Sequence, residues 1–170
     1  MEAYFLGRAE YEPTWQLQER LRQRVLAGGP EAVLLVEHPP VLTLGRSATP
    51  SDITAAAATL GEHGVAVVRS SRGGKVTYHG PGQLVLYPIV RLRQGVLHHV
   101  AALAAIGVHV QRRVAIHGLA LNVTAEACAA FRRGWFLPCG ELGGQVTCLA
   151  EEAGAPVPVD SVAPTLLAAL

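Results

Sequence analysis

Residues 72–89 read RGGKVTYHGPGQLVLYPI: glycines at 73, 74, 80 and 82 and a proline at 81 precede an aliphatic run that begins at Leu84. Glycine-rich chain beside a strand lets backbone amides come close to a ligand. The composition predicts a loop from Arg72 to Gln83 and a strand from Leu84 to Val90.

Upstream, Leu17, Leu21 and Val25 recur every four residues between Pro13 and Ala27, and Gly28-Gly29 ends the pattern, so this segment is an amphipathic helix. Ala32 to Glu37 and Val41 to Leu44 are β-rich runs joined by a His38-Pro39-Pro40 corner. Ser51 and Asp52 can cap a second helix that runs to about Leu60 and stops at Gly61 and Gly64, and a strand follows at Val65 to Val68. Downstream, Leu97 to Ala105 reads as a short helix. Ile106 to Val110, Val114 to Ile116 and Leu119 to Val123 read as strands, with tight turns at Arg112-Arg113 and at Gly118. A helix starts at Thr124 and runs through Phe131, an irregular segment spans Gly134 to Gln145, and Thr147 and Asp160 each open a terminal helix. This order predicts an α+β fold with a mixed, mostly antiparallel sheet flanked by helices.

At 170 residues and 17.9 kDa, half of them hydrophobic and 16% charged, the chain is expected to form a single domain over residues 1–170 with a substantial core. Fourteen basic against 13 acidic residues leave a net charge of +1, too little to gather nucleic acid or anionic lipid. No apolar run approaches the roughly 18 to 20 residues of a membrane helix, and the N-terminus lacks a signal-peptide pattern, so a cytoplasmic location is expected. Cys128, Cys139 and Cys148 are odd in number and form no C-x-x-C pair, which argues against a disulfide framework and a zinc site. Lys75 is the sole lysine.

Cys139 lies between Pro138 and Gly140, where a thiol can be exposed as a nucleophile or can pack as a small hydrophobe. Cys128 falls in a helix repeat and reads as core; Cys148, at a helix start, is a second thiol candidate. His79 and His117 each sit next to glycine, as acids, bases or hydrogen-bond donors to an acyl oxygen, or as turn residues satisfied by backbone. His38 reads as support for its proline corner, His98 and His99 as solvated helix residues, and His63 and His109 as surface. Gly74-Lys75 is followed by valine, and no G-x-G-x-x-G opens a helix, so neither phosphate-binding motif is present.

The stretch RGGKVTYHGPGQLVLYPI, together with Val33 to Arg46 (VLLVEHPPVLTLGR), Ala104 to Val108 (AAIGV), His117 to Val123 (HGLALNV) and Pro138-Cys139-Gly140 before Val146-Thr147, resembles the octanoyltransferases of lipoate biosynthesis. The resemblance covers nearly the whole chain. It implies the fold of lipoate and biotin protein ligase catalytic domains. The implied activity is octanoyl transfer from acyl carrier protein, through a thioester on Cys139, to a lysine of the lipoyl domains of 2-oxoacid dehydrogenases and of the glycine cleavage H protein. It also implies an acyl site lined by Arg72, Gly73, Gly74, Lys75, Val76, Thr77, Tyr78 and His79, by Ala105, Ile106 and Gly107, and by His117, Gly118, Leu119 and Ala120. A thioester keeps the acyl group activated, so the reaction needs no metal, nucleotide or other cofactor.

The chain departs from that family at one place. Ala102 stands where the family has a lysine, and the sequence is some tens of residues short between Pro88 and Ala104. Either the deletion is real, which leaves acid–base work to His79, His117 or backbone amides, or residues are missing here and two stretches that lie apart in the full protein stand side by side. Two alternatives follow: an octanoyl or carrier-protein binding module without turnover, or an ATP-dependent lipoate or biotin protein ligase that relies on Lys75. Arg91, Arg93, Arg112 and Arg113 are either a docking patch for an acidic carrier or four solvated arginines.

Overall fold

The computed structural model describes residues 1–91, 104–138 and 146–168. Its centre is β2 (Ala32–Glu37). Ala32, Leu34 and Val36 face one layer and Val33 and Leu35 the other, and a strand covered on both faces has to be apolar at successive positions. β1 (Glu2–Arg8) pairs with β2 in parallel, and β6 (Gln83–Ile89) pairs with it antiparallel. β8 (Val114–Asn122) joins β6, and β7 (Ala104–Gln111) joins β8, both antiparallel, giving a sheet ordered β1-β2-β6-β8-β7.

Helix α1 (Tyr11–Leu26) covers one face, with Leu21 and Val25 packed among Leu34, Val36, Val85, Ile89 and Ile116. On the other face α5 (Val159–Ala168) seats Ala163 among Val33, Leu35, Leu84, Leu86 and Val123. A second sheet has the order β4-β3-β5, formed by β4 (Ala66–Arg69), β3 (Val41–Leu44) and β5 (Val76–His79). Its core takes Leu42 and Tyr78, Leu60 of α2 (Ala57–Glu62), Ala130 of α3 (Ala129–Arg132), Trp135 and Phe136. A short α4 (Leu149–Ala153) precedes α5. Only β1–β2 and β3–β4 are parallel pairings among the described strands, so the fold is α+β with mixed, mostly antiparallel β structure, divided into two sheets. No helix among the described residues is long and apolar enough to cross a membrane.

The sequence expectations fail where glycine dominates the composition. The expected loop contains β5, in which Val76 and Tyr78 point into the small core and Thr77 and His79 lie on the opposite face. Four alternating residues between two glycine pairs give too short a period to outweigh their neighbours. Gly118 is not a turn: β8 runs through it, paired with Gly107. A Cβ there would lie 2.1 Å from the Leu86 carbonyl oxygen and 2.6 Å from Pro88 Cδ, so Gly118 is a close-approach residue. The expected helix ending at Ala105 meets β7 at Ala104, and residues 92–103 lie outside the described residues. Ser51 and Asp52 fall in a single 3-10 turn, Pro50–Asp52, and α2 starts only at Ala57. The Arg112-Arg113 turn is present, both residues at positive φ (49° and 66°), as a two-residue hairpin connection requires.

Gly118→Ala is expected to cost about 1–3 kcal/mol by forcing apart β6 and β8. Gly61→Ala, inside α2 with nothing within 4 Å of the added carbon, should be neutral or gain up to ~1 kcal/mol. Urea unfolding of both variants checks this, and equal midpoints would contradict the close approach.

Candidate functional site

The site begins with one buried cation. The Arg72 guanidinium, on a residue only 6% exposed, donates to Thr43 Oγ1 (3.0 Å from Nε), to the Thr43 carbonyl, to the Lys75 carbonyl (2.8 Å) and to the Gly73 carbonyl (2.9 Å). The fork thereby folds residues 72–75 onto the end of β3. Backbone bonds complete the clamp: Gly45 N–H to Lys75 O (2.9 Å), Arg46 N–H to Arg72 O (3.0 Å) and Ser47 N–H to Gly74 O (3.2 Å). A Cβ on Gly45 would stand 2.2 Å from the Gly74 oxygen, so the two segments touch backbone to backbone.

Opposite this loop, β8 is distorted. His117 has φ 58°, a conformation that costs a non-glycine residue about 1–2 kcal/mol. Val114, Ile116 and Ala120 keep to the α1 face on either side of it, and His117 turns toward α1 as well. Its ring lies 6.0 Å from that of Trp15, and its N–H donates to Gln18 Oε1 at 2.8 Å. Between loop and strand lies a cleft lined by Arg72, Gly73, Gly74, Lys75, Val76, Thr77 and His79, by Gly107, and by His117, Gly118, Leu119 and Ala120. Tyr11 of α1 and Val85 and Tyr87 of β6 complete its walls.

The buried polar groups here have defined partners. Tyr11 Oη and Ser70 Oγ share a 2.8 Å bond, and Ser70 Oγ accepts from Arg72 N–H at 3.3 Å. His38 bonds the Ala9 carbonyl through Nδ1 (2.6 Å) and Tyr87 Oη through Nε2 (2.9 Å). His79 bonds Gln83 Oε1 through Nδ1 (2.7 Å), and its ring stacks on Tyr11 at 6.0 Å. Ser71 Oγ lies between His117 Nε2 (3.1 Å) and His109 Nδ1 (3.2 Å). Burial lowers His38 from 6.5 to about 4. Burial, then the neighbouring His38 and Arg72, lowers His79 to about 3. Burial and the Arg72 charge lower His117 to about 3. The cleft thus sets the buried Arg72 charge, and at its wall the Asp52-paired Lys75 ammonium, beside neutral imidazoles, an arrangement suited to an uncharged acyl chain and a polarised carbonyl.

Twelve of the residues expected at the acyl site line the cleft together. Tyr78 does not: alternation along β5 sends it into the small core, where burial lifts its hydroxyl to about 12. Of Ala105 and Ile106 the structure describes the backbone, paired with Ala120 and Leu119. Cys139 lies outside the described residues, as do Ala102, Arg93, His98 and His99. The chain leading to Cys139 is placed, however: Phe136 bridges Ile53, Leu137 N–H donates to Asp52 O (2.8 Å), and Asp52 Oδ1 accepts from Lys75 Nζ (3.2 Å). Cys148 is fully buried, which removes it as an accessible nucleophile, and buried Cys128 is pushed up to about 11. Arg91, itself exposed, bonds Glu31 and the Val25 carbonyl at the end of α1, and Arg112 and Arg113 are exposed at the turn between β7 and β8. Sequence reasoning missed Tyr11, Thr43, Tyr87 and Asn122, since each is an ordinary member of a helix or strand and carries no local signal.

His38, His79 and His117 all bind protons less readily folded than unfolded. Stability should therefore be complete above pH 6.5 and fall as pH drops below it, by up to about 1.4 kcal/mol per histidine per pH unit. Thermal unfolding at pH 7.5 and 5.5, above the main carboxylate range, checks this; an unchanged Tm would contradict burial of the imidazoles in neutral form.

A family model of the lipoyl protein ligase A/B catalytic domain matches residues 10–103. An octanoyltransferase of Chloroflexus aggregans is 38% identical over 208 residues, covering all of this chain and 93% of the relative. One of Alkaliphilus metalliredigens is 37% identical over 188 residues, covering 89% of this chain and 85% of the relative. Among solved structures, P. falciparum LipL1 in complex with lipoate superimposes with a TM-score of 0.73 at 10% identity, over 98% of this chain and 60% of that one. A putative lipoate protein ligase of T. acidophilum with bound lipoic acid gives 0.68 at 12% identity, over 98% and 83%. These neighbours share the fold, and the family model with the sequence relatives establishes that this chain belongs to the lipoyl protein ligase A/B catalytic-domain family, among its octanoyltransferases.

Proposed function

We propose that this octanoyltransferase works in two transfers through Cys139. In the first, the Cys139 thiolate attacks the thioester carbonyl of octanoyl acyl carrier protein and the carrier thiol leaves. In the second, a lysine amine of a lipoyl domain, from a 2-oxoacid dehydrogenase or the glycine cleavage H protein, attacks the enzyme thioester, an amide forms, and the Cys139 sulfur departs.

The observation that carries this reading is the cleft itself. The loop of residues 72–79, β8 and α1 meet at it, and β8 does so through Gly118, where a Cβ would lie 2.1 Å from the Leu86 carbonyl oxygen. Val85, Leu119 and Ala120 supply apolar wall for an acyl chain, whose methylenes gain about 0.8 kcal/mol each on burial. The bond from Leu137 to Asp52, and from Asp52 to Lys75 on the cleft wall, brings the chain to within two residues of Cys139 beside that wall. The wall carries the buried Arg72 guanidinium as well as the Lys75 ammonium paired with Asp52, and a nearby cation favours the thiolate form of a cysteine.

Incubation with octanoyl carrier protein should add one octanoyl group to the wild-type chain and none to Cys139→Ala, read by intact mass and peptide mapping. Subsequent addition of a lipoyl domain should discharge the adduct onto that domain. An adduct that never discharges would favour a binding module. Transfer that requires ATP and octanoate, with no Cys139 adduct, would favour the ligase chemistry and overturn the proposal.

A further inference from the structure

We propose that Gln83 and Asn122 are positioning residues that hold His79 as its Nδ1–H tautomer, so that Nε2 presents a lone pair to the cleft and accepts a hydrogen bond from the attacking amine. This rests on the octanoyl-transfer reading for the identity of the amine, but not for the tautomer.

The sense of the relay is set at its far end. Asn122 Nδ2 lies 3.3 Å from the carbonyl oxygen of Thr147, and a backbone carbonyl can only accept. The amide of Asn122 therefore donates there, which turns its Oδ1 toward Gln83. Gln83 Nε2 donates to that oxygen at 2.9 Å, which turns Gln83 Oε1 toward His79 at 2.7 Å from Nδ1. An amide oxygen accepts, so Nδ1 carries the hydrogen and Nε2 does not. Flipping either amide would oppose two oxygens or two N–H groups. All three side chains are at most 5% exposed, so little water is available to repair the mismatch. The same device operates next door: the Ala9 carbonyl requires His38 Nδ1 to donate, so the Tyr87 hydroxyl donates to His38 Nε2.

The remaining nitrogen of His79 is then the useful one. Its ring lines the cleft, and among the described residues its sole hydrogen bond is the one through Nδ1. The groups that face it are Tyr11 from α1, His38 from the corner after β2, Arg72 from the loop and His117 from β8. Arg72 is the fixed cation in that set, and with burial it keeps the imidazole neutral well below neutral pH. A neutral acceptor suits an amine whose lone pair must point at a carbonyl carbon: the N–H is held while nitrogen attacks, and the bond strengthens as nitrogen becomes positive. The C–N bond forms, the C–S bond breaks and the amine proton ends on the departing sulfur; His79 orients the amine without ending protonated. Gln83 and Asn122 touch neither acyl group nor amine in this scheme and act through the ring.

The test starts with the wild-type chain. Long-range ¹H–¹⁵N NMR at pH 7 should show His79 protonated at Nδ1 and bare at Nε2; the opposite pattern overturns the proposal whatever the activity. Gln83→Leu, which removes the acceptor, should lower kcat for discharge onto a lipoyl domain roughly two- to tenfold, with KM for that domain and the rate of Cys139 octanoylation unchanged. Gln83→Glu, which restores an acceptor at Nδ1, should keep the tautomer and recover part of the rate. Equal discharge by the two variants, or a loss confined to octanoylation, overturns the proposal. A wild type with the expected tautomer but no transfer to lysine overturns the reaction assignment instead.

Discussion

A guanidinium that donates to four carbonyl and hydroxyl oxygens organises this molecule. Arg72 donates to the carbonyls of Thr43, Gly73 and Lys75 and to the Thr43 hydroxyl, so oriented dipoles of the loop and of β3 solvate its charge. Two consequences follow from that one placement. The loop of residues 72–75 is closed against β3 and becomes a wall, and the imidazoles of His79 and His117 are kept neutral beside it. Lysine could supply the charge but not the planar fork, and a loop so rich in glycine has little conformational preference of its own to fall back on.

Strand and helix periods were legible where side chains carry them. The span Ala32–Glu37, the span Val41–Leu44 and the body of α1 follow directly from apolar spacing, and Arg112-Arg113 marks a hairpin because charged residues must leave the sheet there. What the sequence conceals is backbone proximity. Gly118 reads locally as a turn, but its requirement comes from Leu86 and Pro88, some thirty positions away in the chain. The irregularity itself falls on His117, whose positive φ has no compositional sign. Tyr78 sits within a motif that points to an acyl site, and alternation along a four-residue strand nevertheless turns it to the other side.

The candidate site was partly legible for a related reason. Glycines and histidines stand out locally, so the loop and His117 were found. The residues that set their chemistry, Thr43, Gln83, Tyr87 and Asn122, are inward-facing positions of strands and become meaningful only when their hydrogen bonds are followed. Those bonds run in one direction because they end on backbone carbonyls, which ties the protonation pattern of the cleft to the fold rather than to solution pH. A reaction between two uncharged partners, a thioester and a free amine, benefits from surroundings that keep the same protonation across the working range.

Amide hydrogen exchange on Arg72→Lys tests the dependence of the cleft on that guanidinium most directly. The amides of Gly45, Arg46 and Ser47, which donate to the carbonyls of Lys75, Arg72 and Gly74, should lose at least about tenfold in protection while those of α1 keep theirs, as expected for local opening of one clamped loop. Undiminished protection at the three amides would show that the glycine-rich wall stands without its cation and would contradict the account.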